Sequence, residues 1–121
     1  YQACEIVYNQ CEPWLEELLI VIDRNRQLVE NFMAEYFPEV VVFPLEGTYL
    51  LWMDFHALKM PYKELEKFMQ TEAYLFLDEG YLFGKTGEGY ERMNLACPTQ
   101  VIKKALERLW NAWQKHQSNC N

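Results

Sequence analysis

The chain is short of basic charge, of histidine, of paired cysteines and of long apolar runs, and each shortage excludes a class of function. Eleven Lys and Arg against 18 Asp and Glu leave a net charge of −7 over 121 residues, with a pI near 4.8. No basic stripe interrupts that balance, and an acidic field repels phosphate backbones, so nucleic acid is not an expected partner. No apolar stretch approaches the roughly 20 residues a membrane-spanning helix needs. The richest, Leu18 to Ile22, is closed by Asp23 and Arg24, and no membrane partner is expected. The start has no basic residues leading into an apolar block, unlike a secretory signal. It also lacks an initiator methionine: Tyr1-Gln2-Ala3-Cys4 reads as the interior of a helix, which suits a piece of something longer. Cys4, Cys11, Cys97 and Cys120 do not form the two close pairs of a zinc ribbon. They are expected to be reduced, structural thiols of a cytoplasmic protein, with Cys120 in a polar tail the most exposed. His56 and His116 have no cysteine or carboxylate at recognisable ligand spacing, and His116 is read as part of the polar tail; no metal is expected.

What remains is apolar and aromatic: 50% of the residues are hydrophobic and 16% aromatic, enough to fold around one core. Between Glu12 and Tyr36 apolar residues recur at three- and four-residue steps, through Trp14, Leu18, Ile22, Val29 and Met33. That spacing is one face of a long helix, with Pro13 in its first turn and Pro38 beyond its end. Gln2–Tyr8 reads as a separate short helix. Val40–Phe43 is a β-branched run predicted as a short strand, and Pro44–Gly47 a turn. Thr48–Phe55 reads as the strongest strand, apolar on both faces, with Leu50 and Trp52 opposite Tyr49, Leu51, Met53 and Phe55. A strand of that kind needs cover on both sides. Met60-Pro61 opens a helix to about Thr71, Tyr74–Leu77 is predicted as a strand, and Asp78–Gly89 as a glycine-rich loop. Tyr90–Ala96 alternates as a strand, and a last helix starts at Pro98. No internal repeat is visible.

This order predicts an α+β fold: a two-layer small domain with a small, mostly antiparallel sheet packed by helices and preceded by a long helix. Residues 1–38 form the helical lead-in and residues 39–121 the small domain.

Few residues carry chemistry. Gly84-Lys85-Thr86 mimics the end of a phosphate-binding loop, but Glu79 stands where that motif requires its first glycine. Glu16, Glu17, Glu64 and Glu66 share their helices with basic residues and read as solvated faces. Arg92 differs. Alternation along Tyr90–Ala96 puts Tyr90, Arg92, Asn94 and Ala96 on one face, with Glu91, Met93 and Leu95 on the other. A mid-strand arginine offers a planar fork to a carboxylate; an ordinary surface ion pair is the competing reading.

Three segments in register, Glu46–Phe55, Phe83–Tyr90 and Arg92-Met93-Asn94-Leu95-Ala96-Cys97-Pro98, resemble the C-terminal small domain of class I/II aminotransferases, the fold-type I pyridoxal-phosphate (PLP) enzymes. The long helix with Asn25-Arg26 is similar to the segment leading into that domain, and the Arg-x-Asn-Leu-Ala-Cys-Pro ending resembles the cystathionine β-lyase-like C–S lyases. The resemblance implies that Arg92 pairs with the α-carboxylate of an amino-acid substrate and that Gly47, Thr48 and Tyr49 lie where the small domain approaches it. It further implies a PLP-dependent parent, homodimeric, whose Schiff-base lysine lies in a large domain. None of the seven lysines here, Lys59, Lys63, Lys67, Lys85, Lys103, Lys104 and Lys115, has the Ser-x-x-Lys context of that residue. The isolated chain is therefore expected to bind no cofactor and to be inactive. The alternative is a stand-alone, non-catalytic α+β binding module derived from such a domain.

Overall fold

The computed structural model describes residues 1–119; Cys120 lies outside them. Helix α1 (Gln2–Gln10) buries nothing, whereas α2 (Glu12–Tyr36) buries Ile22, Asn25, Val29 and Met33 along one stripe. Pro13 sits in the first turn of α2, where its missing N–H leaves no bond unmade. Phe37 ends the helix, its N–H bonded back to the Met33 carbonyl at 2.8 Å, immediately before Pro38.

Four strands follow, β1 (Val41–Val42), β2 (Leu50–Asp54), β3 (Asp78–Glu79) and β4 (Tyr90–Asn94), in the spatial order β1-β2-β4-β3 with every pair antiparallel. Between β2 and β3 lies α3 (Tyr62–Lys67), continued by a π-helical turn over Phe68–Glu72. Helix α4 (Thr99–Asn119) closes the chain with Ile102, Ala105, Leu106, Leu109 and Ala112 buried. The core lies between the helices and one face of the sheet, where Leu51, Met53, Phe55, Met93 and Leu95 meet Val29, Met33, Leu65, Phe68, Met69 and Leu106. This is the expected α+β arrangement, with α2 sharing the core of the sheet.

Several sequence expectations need correction. Tyr74–Leu77 is not a strand: Tyr74 has φ 52°, and only Ala73 and Leu75 in that region are buried. The strand comes next instead, at Asp78–Glu79, inside the predicted loop, because it pairs with β4 through Asp78↔Arg92 and Glu79↔Glu91. Tyr49 does not join Leu51 and Met53 in the core. Thr48 has φ 63°, the ladder of β2 starts only at Leu50, and Tyr49 stays 43% exposed. His116 is not in a polar tail: it lies within α4, stacked on Trp113 at 5.8 Å and edge-on to Phe68.

The rest of the loop to Gly89 is two short 3-10 turns, Gly80–Phe83 and Lys85–Gly87. They cross so closely that a Cβ on Gly80 would meet the Gly87 carbonyl oxygen at 2.1 Å, and the reverse holds for Gly87. Two glycines are therefore what let the loop fold back over the sheet. Among the described residues no helix is long and apolar enough to cross a membrane.

Candidate functional site

The sheet face turned away from the helices carries Leu50, Trp52 and Asp54 from β2 against Asn94, Arg92 and Tyr90 from β4, each a direct cross-strand pair. Arg92 stands at the middle of this face. Its guanidinium carbon lies 4.3 Å from the ring centre of Phe83 and 5.9 Å from that of Trp52. The two rings meet edge to face at 5.2 Å. A planar cation stacked on aromatic faces is attracted by their quadrupoles and loses freedom to rotate. Phe83 reaches this position from the crossing glycine loop, which is why the loop belongs to the site.

Arg92 already faces one carboxylate. Its Nε donates to Asp78 Oδ2 at 3.1 Å and its Nη2 to the same oxygen at 2.8 Å. Nη1 donates to no group among the described residues. The surface ion pair weighed from the sequence is thus present, made across the strands, and it occupies only one edge of the fork. The side chain of Arg92 keeps 22% of its surface exposed and that of Asp78 48%.

Gly47, Thr48 and Tyr49 do not gather at this guanidinium. They form an exposed bend before β2, with Thr48 Oγ1 accepting from the Leu50 N–H at 3.2 Å. Gly47 and Thr48 line a shallow groove with Leu19, Asp23 and Arg26 of α2. Tyr49 is three positions from Trp52, the cross-strand partner of Arg92, which is roughly 10 Å along a strand.

Three further residues, given no chemical role from the sequence, shape the surroundings of Arg92. Asn25 of α2 is fully buried, and its Nδ2 donates to the carbonyls of Leu95 and Cys97, both at 2.8 Å. It ties the long helix to the end of the strand that carries Arg92. Glu91, next to Arg92 but on the core face, is 1% exposed, and its Oε2 has no hydrogen-bond partner among the described residues. Burial, then the carboxylates of Glu79, Glu66 and Asp78, push its pKa from 4.5 to about 8. Asp54 accepts from the His56 backbone N–H at 2.9 Å and lies 2.6 Å from the His56 ring nitrogen Nδ1. The ring of His56 packs over Gly89, whose φ of 84° and missing Cβ make room for it. The i, i+2 spacing of Asp54 and His56 was the only sequence signal for that pair.

The other sequence candidates stay apart from Arg92. Lys85-Thr86-Gly87 is a single 3-10 turn, not the start of a helix. Glu64 is exposed, and Glu66 is held by the Tyr81 hydroxyl at 3.1 Å. Cys4, Cys11 and Cys97 are free thiols, and burial pushes the Cys97 thiol up. No group of three or more metal-ligating side chains occurs among the described residues. All seven lysines are exposed.

No protein-family model matches the chain. Relatives do. Cystathionine beta-lyase PatB of Bacillus subtilis is 32% identical over 107 residues, 88% of this chain and 28% of the relative. Protein MalY of Escherichia coli is 31% identical over 105 residues, 87% of this chain and 27% of MalY. The crystal structure of cystalysin from Treponema denticola, which contains a pyridoxal 5'-phosphate cofactor, superimposes with a TM-score of 0.92 and 49% identity, covering 95% of this chain and 29% of cystalysin. The chain thus spans a little over a quarter of the length of the proteins it matches. That close superposition, with nearly half the aligned residues identical to cystalysin and about a third to PatB and MalY, places it in one family: the chain is a C-terminal small domain of the class I/II aminotransferase, fold-type I PLP enzymes, on their cystathionine β-lyase-like C–S lyase branch.

Proposed function

We propose that this domain supplies the α-carboxylate site of a PLP-dependent enzyme acting on α-amino acids, with Arg92 as the residue that binds the carboxylate. The observation that carries the reading is the arginine itself. It lies over the ring of Phe83, with Trp52 beside both, on the sheet face free of helices, and its Nη1 donates to no group among the described residues. Two parallel N–H donors on a planar cation match the two oxygens of a carboxylate.

The reaction is β-elimination from a sulfur amino acid, in line with the cystathionine beta-lyase named among the relatives, or else transamination. PLP supplies the electron sink for either chemistry, and its Schiff-base lysine and phosphate contacts belong to residues outside this chain. Arg92 contributes orientation: it fixes the substrate at its carboxylate end so that the bond to be broken presents itself correctly to the cofactor. Gly47, Thr48 and Tyr49 contribute a more distant, exposed edge to the approach of the substrate. The chain alone is inactive, and the full enzyme is a homodimer.

Arg92→Ala in a full-length protein carrying this domain tests the reading. The loss of a charge-assisted pair, about 1.5–3 kcal/mol, lowers kcat/KM roughly 10- to 150-fold, with the cofactor's absorbance unchanged. An unaltered kcat/KM with an amino-acid substrate would overturn the assignment. Carboxylate binding that depends on Arg92 in a protein that takes up no PLP would favour the alternative, a non-catalytic α+β module.

A further inference from the structure

Asp78 determines what Arg92 has left to offer. The two residues are a direct cross-strand pair, Asp78 on the two-residue edge strand β3 and Arg92 on β4. A guanidinium carries five N–H donors in two forks: a side-on edge made by Nε and Nη2, and an end-on edge made by Nη1 and Nη2. Asp78 Oδ2 alone accepts both donors of the side-on edge, at 3.1 and 2.8 Å. Three N–H groups remain, and two of them point in parallel from the end-on edge. The Phe83 ring, 4.3 Å from the guanidinium carbon, fixes the plane in which that edge lies.

We propose that Asp78 is a positioning residue for the carboxylate site: by holding the side-on edge of Arg92 it presents the end-on Nη1/Nη2 edge to the substrate. The inference rests on the reading of Arg92 given above. A long arginine side chain that must find its rotamer only when substrate arrives loses affinity to that ordering, and an arginine already pinned on one edge does not. The pairing also makes the unit Arg92–Asp78 electrically neutral, so the incoming carboxylate is recognised chiefly through geometry. Edge-strand position suits this role. Asp78 is followed directly by the glycine-crossed loop that delivers Phe83, so one segment, Asp78–Phe83, sets both the in-plane direction and the stacking of the guanidinium.

The test is steady-state kinetics in a full-length protein carrying this domain, with an α-amino-acid substrate and three variants. Asp78→Ala is expected to raise KM about tenfold, with kcat within about twofold, because orientation before binding is lost while the chemistry is untouched. Asp78→Asn keeps an acceptor oxygen at the same place and is expected to raise KM no more than about threefold. Should Asp78→Ala fail to fold, the asparagine variant decides, against a predicted small but measurable rise. Unchanged or lower KM in either variant overturns the proposal, since Asp78 would then be a bystander or a competitor for Arg92. Asparagine as damaging as alanine also overturns it. Arg92→Ala is the control that separates the two claims: if it leaves KM and kcat/KM intact, the carboxylate site itself is wrong, whereas a large Arg92 effect with no Asp78 effect removes Asp78 alone.

Discussion

A carboxyl group that is 1% exposed, with one oxygen lacking a partner and Glu79 directly across the strand pair, keeps its proton. Glu91 does so to about pH 8 in the folded protein, against 4.5 for the ordinary side chain. Between those values the folded state binds a proton that the unfolded chain has released. The stability Glu91 contributes is therefore complete below about pH 4.5 and is lost as pH rises towards 8. The groups facing it are Glu79 and Asp78 from β3 and Glu66 from α3, with the Gln70 amide holding Glu79 at 2.7 Å. Glu91→Gln removes the titration. Urea unfolding from about pH 5 to about pH 8 should show the variant gaining on the parent by up to roughly 1.4 kcal/mol per pH unit. Parallel profiles would mean that Glu91 ionises normally. Alternation in the sequence already put Glu91 on the face of Met93 and Leu95. What it could not reveal was depth, because the helix residues that cover that face are distant in the chain.

At the scale of elements, Asn25 is the link between α2 and β4. It is the point where the long helix, which begins far from the sheet in sequence, is fastened to the strand that bears Arg92. Two carbonyls, those of Leu95 and Cys97, depend on its amide. Asn25→Leu keeps the volume and strands both, at a cost of about 2–3 kcal/mol read as a lower urea midpoint at unchanged slope. A loss within about 0.5 kcal/mol would show that the two bonds do not hold the elements together. The helices themselves were legible. Residues recurring every three or four positions and the prolines at 13 and 38 mark α2 at Glu12–Tyr36, as observed. The alternation of Tyr90–Asn94 was legible in the same way. Tyr74–Leu77 was misread because an apolar run carries no record of its partner; the ladder with β4 forms at Asp78–Glu79 instead. Arg92 could be singled out by its strand position, whereas Asp78 could not, because its role exists only through that pairing.

Across the whole molecule, apolar residues without cover include Tyr74 and Phe76 before β3, Val101 in α4, and two larger sets. One is the sheet face around Arg92, with Phe43, Phe83 and the half-buried Trp52. The other is α1 and the first half of α2, where Tyr8 is 83%, Trp14 63% and Ile20 60% exposed. Exposure on that scale is uncommon for a free monomer. Residues 1–121 on their own should therefore bind a hydrophobic dye and sediment as a concentration-dependent assembly. A monomer that binds no dye would show that these faces need no partner.

Composition and local pattern were enough to establish the acidic charge, the four helices and two main strands, the family resemblance, and Arg92 as the residue worth testing. Each of these is written in composition, in local period or in a short motif. Folding alone brings Asp78 to one edge of Arg92, sets Phe83 over its guanidinium, clamps α2 to β4 through Asn25, and buries Glu91. Those facts come from strand register and from a loop folding back across two glycines, and they bring together residues 9 to 72 positions apart. Local propensity extends over a few residues, so it carries no information about contacts of that range.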